Sequence, residues 1–134
     1  TKYYEKEVGL PVFMGVKNDK GFNDAMNAYK DNEFEEAIIA FEGLLQEQGE
    51  NDTLLYFVAC SNQELGAFEQ AAEKFNSVNE TSVFKENSEF NRALCLLKLK
   101  DSTKAKEVLN DIASNSTHTY HNKAVELLKE KPFN

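Results

Sequence analysis

Ala37, Ala71 and Ala105 stand 34 residues apart, twice in succession, and the residues around them keep the same step. Four residues beyond each alanine comes a large apolar residue (Phe41, Phe75, Leu109), and seven beyond comes a branched aliphatic one (Leu44, Val78, Ile112). Twelve residues before each lies a second alanine (Ala25, Ala59, Ala93), and fifteen before lies an aromatic (Phe22, Tyr56, Phe90). Agreement in five registers makes the chain an array of one repeated unit, and a period of this length is that of a helix-turn-helix repeat. Such a unit cannot bury its apolar face alone, so neighbouring units share a continuous core and the terminal ones need a cover.

From Asp19 onward the apolar residues recur three and four apart, as on a helix. The pattern predicts helices over about 19–30, 34–47, 52–65, 68–79, 86–99, 102–114 and 118–131. The turn inside each pair falls at Asn32, Gly66 and Lys100 with Asp101, where glycine and asparagine tolerate the left-handed backbone that ends a helix. Gln48 to Asp52 reads as a solvated loop in which Asn51 or Asp52 can cap the next helix. The three units then cover about 19–51, 52–85 and 86–117, and residues 118–131 form a final capping helix before a tail at 132–134. Residues 1–18 carry Tyr3, Tyr4, Leu10, Pro11, Val12, Phe13 and Met14 without helical spacing and read as an extended leader. Its two expected places are over the outer side of the first unit, which is favoured, or in the groove that the units form.

Charge narrows the partners. Of 134 residues, 23 are acidic and 15 basic, for a net charge of -8, and Arg92 is the only arginine. An acidic surface repels phosphate backbones, and the usual bidentate phosphate ligands are missing, so nucleic acid is not the expected partner. The apolar runs, such as Leu54 to Cys60, fall far short of the roughly 20 residues that span a bilayer. The segment therefore reads as a soluble, not membrane-inserted, domain, and a start at Thr1 leaves room for a preceding signal or anchor. Cys60 and Cys95 are 35 residues apart, one step out of the repeat, so they read as half-buried thiols and not as a disulfide. Asn-x-Ser/Thr triplets at Asn51, Asn79 and Asn115 are expected from an asparagine-rich composition alone.

The two alanines of each unit and the large apolar residue four beyond the second resemble the signature of the tetratricopeptide repeat. The likeness covers residues 19–131 and is strongest in Leu65-Gly-Ala-Phe-Glu-Gln-Ala-Ala-Glu-Lys-Phe75. It departs at Ser102, which replaces the aromatic of Phe34 and Phe68, and at Gly49 and Val83, where a unit-ending proline is absent. The resemblance implies an all-α, right-handed α-solenoid of three helix-turn-helix repeats plus a C-terminal capping helix. The Tyr-rich leader, the three repeats and the run Ser116-Thr-His-Thr-Tyr-His121 also resemble the soluble part of small bacterial membrane-anchored repeat proteins. That implies a periplasmic or membrane-tethered domain, with a cytoplasmic one as the alternative.

Domains of this family hold a protein or peptide in the groove lined by the first helix of each pair. Carried onto this chain, the groove residues are Phe22, Met26 and Tyr29, then Tyr56, Cys60 and Gln63, then Phe90, Leu94 and Leu97. Several of these complete the core on a plainer reading, Met26, Cys60 and Leu94 above all, and the aromatic rings are the expected contacts. One subgroup grips a terminal carboxylate with Lys, Asn and Arg. The matching registers here hold Phe22, Met26, Phe57, Asn87 and Asn91, so that clamp is not expected.

Catalysis lacks parts: there is no phosphate loop, no nucleophile with a base and no metal-ligand spacing. His118 and His121, three apart, read as a surface pair on the cap. Glu33, Glu35, Glu36 and Glu42 read as a solvated helix face. No enzyme activity and no cofactor are expected. The function predicted is a scaffold for a protein or peptide partner, the alternative being a regulatory or oligomerisation module of a larger protein, with homodimerisation left open.

Overall fold

The computed structural model describes residues 19–130 and 133. The leader at 1–18, with its two expected places, and most of the tail lie outside the described residues. Among the described residues seven helices follow in order: α1 (Asp19–Lys30), α2 (Phe34–Gln48), α3 (Asp52–Glu64), α4 (Phe68–Asn76), α5 (Lys85–Lys98), α6 (Ser102–Ala113) and α7 (His121–Leu128). Each packs chiefly against the next in sequence, so three hairpins and a final helix stack into an all-α solenoid. Among the described residues no helix is long and apolar enough to cross a membrane.

The repeat register recurs in the turns. Asn32, Gly66 and Lys100 all take left-handed backbone, with φ of 64°, 79° and 62°. In each case the next residue reaches back to close the helix end: Glu33 N–H to Ala28 O, Ala67 N–H to Asn62 O, and Asp101 N–H to Leu96 O, at 2.8, 2.8 and 3.0 Å. This six-residue closure pairs carbonyls that a helix end otherwise leaves unsatisfied. Of the two expected caps for α3, Asn51 serves, accepting from Leu54 N–H at 3.2 Å.

Every repeat-defining residue is inside. Ala25, Ala37, Ala59, Ala71, Ala93 and Ala105 are all 0% exposed, so the alanines of each repeat lie in the packed interior. One core cluster runs from Phe22 through Tyr56 and Phe75 to Phe84 and includes Cys95. A second joins Phe90 and Leu94 to Leu109, Ile112, Ala124 and Leu127. The two meet at α5, where Ser88 Oγ and Asn91 Oδ1 are buried without a hydrogen-bond partner among the described residues.

The boundaries correct two expectations. Helix α4 ends at Asn76, not 79, and α7 covers His121–Leu128 instead of 118–131. Both segments lost to the helices are turns built on an Asn-x-Thr triplet. Asn79 Oδ1 accepts from the backbone N–H and the hydroxyl of Thr81, both at 2.9 Å, and Asn115 Oδ1 does the same for Thr117 at 3.1 and 2.8 Å. A side chain that satisfies its own neighbourhood in this way competes with helix.

Candidate partner-binding face

On each first helix the three expected groove residues stand at i, i+4 and i+7, which puts them in one row. The structure places α1, α3 and α5 so that Phe22-Met26-Tyr29, Tyr56-Cys60-Gln63 and Phe90-Leu94-Leu97 occupy equivalent positions in successive repeats. Their exposure corrects the expectation. Eight of the nine are buried, and only Leu97 is half-buried.

The reason is that the rings meet other rings. Phe22 lies 6.3 Å from Phe41, and Tyr29 sets its edge against Phe34 and Phe57 at 5.7 and 5.3 Å. Tyr56 is stacked on Phe84 at 4.4 Å and meets Phe75 at 5.9 Å. Phe90 is stacked on Tyr120 at 4.5 Å. Such offset and edge contacts add to the area that the rings bury. Phe84 and Tyr120 sit in the connections between repeats and were not among the expected site residues; their only signal was an aromatic placed shortly before a new helix.

The rows also hold polar groups. Gln63 is 7% exposed, and its Oε1 has no partner among the described residues. Asn91 donates from Nδ2 to Asn87 O at 2.9 Å, so this amide ties its own helix at a register where the family clamp would hold a carboxylate. Cys60 and Cys95 are not joined in a disulfide and are fully buried, deeper than expected. Burial pushes the Cys95 thiol up to about 12, because a thiolate there would lose its hydration.

Carboxylates at the starts of α3 and α5 anchor the connections. Asp52 accepts from Asn79 N–H at 3.0 Å. Glu86, one repeat later, accepts from the Thr119 N–H at 2.9 Å and the Thr119 hydroxyl at 2.6 Å. The Thr119 hydroxyl, then its N–H, holds the Glu86 carboxyl below its ordinary value of 4.5. His118 corrects another expectation, since it is 7% exposed and not a surface residue. Its Nδ1 accepts from Tyr120 N–H and its Nε2 meets Glu89 Oε1, both at 3.0 Å. A backbone N–H only donates and a carboxylate only accepts, so the partners assign a neutral ring with its proton on Nε2. Together with Tyr120 on Phe90, these bonds fasten the cap to α5.

A family model described as Tetratricopeptide repeat matches residues 88–116, which takes in most of α5, the turn and α6. No curated protein sequence matches the chain. A solved crystal structure of PcrH in complex with the chaperone binding region of PopB is similar to it, with a TM-score of 0.69, 20% identity, and coverage of 85% of this chain and 98% of that chain. At that identity the likeness is one of fold.

Proposed function

Because the chain is a tetratricopeptide-repeat domain protein, we propose that it holds a partner protein through an extended segment laid along the face of α1, α3 and α5. The observation that supports this is the common register of the three rows, from Phe22-Met26-Tyr29 to Phe90-Leu94-Leu97, in a fold whose solved neighbour is in complex with a region of another protein. Rows that repeat at the solenoid's own step suit an extended chain, which offers side chains at regular intervals. Eight of the nine side chains are buried, so half-buried Leu97 is the contact that the rows offer at the surface. A binding role needs no catalytic group, consistent with a site made of rings, aliphatics and amides.

A photo-crosslinking residue placed at Leu97 tests the assignment against the same residue at Ile39, which is 73% exposed on α2. In cells of the source organism, Leu97 should trap one specific protein that Ile39 does not. Equal capture from both positions, or capture from Ile39 alone, would refute the assignment of this face.

A further inference from the structure

Thirty-four residues beyond Val58 stands Arg92. Val58 is fully buried, so the second repeat uses this register for core packing, whereas the third puts the chain's single arginine there. Arg92 is half-buried, and its guanidinium has no ion pair or hydrogen bond among the described residues. A partly desolvated charge without a partner is costly, and core packing does not call for one.

Arg92 lines an open cleft of about 490 Å³ where α4, α5 and the start of α6 meet, with Ala72, Leu96 and Leu99 as its apolar wall. It also borders a cavity of about 80 Å³ beside Val108 and Ile112. Along α5 and its capping residue, Arg92, Leu96 and Leu99 stand at i, i+4 and i+7, a stripe about 180° around the helix from Phe90, Leu94 and Leu97. The cleft is therefore separate from the partner rows. Asp101, at its edge, already accepts from Lys104 N–H at 3.2 Å as the cap of α6. Glu69 and Glu73 line the α4 side, while Lys104 adds a second cation on the other.

We propose that this cleft is a second docking site, which takes an amphipathic peptide segment bearing a side-chain carboxylate beside an apolar residue. The carboxylate meets the planar fork of Arg92, the apolar side chain rests on Leu96 and Leu99, and a basic residue of the segment faces Glu69 and Glu73. Arginine suits the task because its guanidinium binds a carboxylate through two parallel hydrogen bonds.

The probe is an amidated, acetylated peptide repeating Lys-Leu-Ala-Glu, titrated into the isotopically labelled full chain and followed by backbone NMR. Saturable shifts at Arg92, Leu96, Leu99 and Lys104 are expected. A twin peptide with Gln for every Glu should bind about tenfold more weakly. Arg92→Gln should weaken the Glu peptide by the same factor and leave the Gln twin unchanged, with the circular dichroism preserved, and Arg92→Lys should fall between. The Gln twin with a free C-terminus separates a terminal from a side-chain carboxylate, and its binding in place of the amidated Glu peptide would overturn the proposal. So would the absence of saturable shifts, equal binding of the two amidated peptides, or shifts confined to Phe22, Tyr56 and their neighbours.

Discussion

The ring of Tyr120 lies flat on that of Phe90, with centroids 4.5 Å apart and planes 3° from parallel. Phe84 lies on Tyr56 in the same manner, at 4.4 Å and 10°. In both cases a ring from the connection after a second helix returns over the first helix of its own repeat. Tyr120→Ala should therefore loosen the cap, at a cost of about 2 kcal/mol for a half-buried ring and its stack. Hydrogen exchange should show the amides of His121–Leu128 losing protection before those of α1 to α4.

Ala71 is 0% exposed, on the buried face of α4. Ala71→Leu adds three carbons where a methyl already fills the gap, and should lower stability by about 1 to 3 kcal/mol. Thermal melting of mutant and parent checks this. An unchanged midpoint would mean that the register does not set the packing.

The parts of the fold that repeat were legible in the sequence, and the parts that do not repeat were not. Alanines at a fixed step, and Asn32, Gly66 and Lys100 at the turns, each carry one local requirement that recurs, so three copies reinforce one another. The connections 77–84 and 114–120 depend on reach-back contacts such as Glu86 with Thr119 and Phe90 with Tyr120. No spacing rule announces these. His118 looked like surface because a histidine beside threonine and tyrosine is polar by composition, and its burial comes from Glu89, 29 residues earlier. The proposed partner rows were legible as rows, but their burial depends on rings from other elements.

Ser88 Oγ is fully buried without a hydrogen-bond partner among the described residues. Removing an unsatisfied hydroxyl recovers its desolvation cost, and alanine is the better helix former. Ser88→Ala should raise stability by about 1 kcal/mol, read as a higher urea midpoint at unchanged slope.

Glu86 carries the acid dependence of the cap. Its folded carboxyl lies below 4.5, chiefly through the Thr119 hydroxyl. A depressed value means that its contribution is fully present above the unfolded value and is lost as pH falls through the folded one. Unfolding midpoints of the parent should therefore drop below pH 4.5. Glu86→Gln should lower the neutral-pH midpoint and flatten that acid limb, and Thr119→Val should do the same by removing the main cause.

A partner lying along α1, α3 and α5 should slow amide exchange in those three helices. Hydrogen–deuterium exchange of the full chain, alone and with the protein trapped at Leu97, tests it most directly. Added protection is expected in Asp19–Lys30, Asp52–Glu64 and Lys85–Lys98, with α2 (Phe34–Gln48) and α6 (Ser102–Ala113) unchanged. Protection gained on α2 and α6 with none on the three first helices would contradict it.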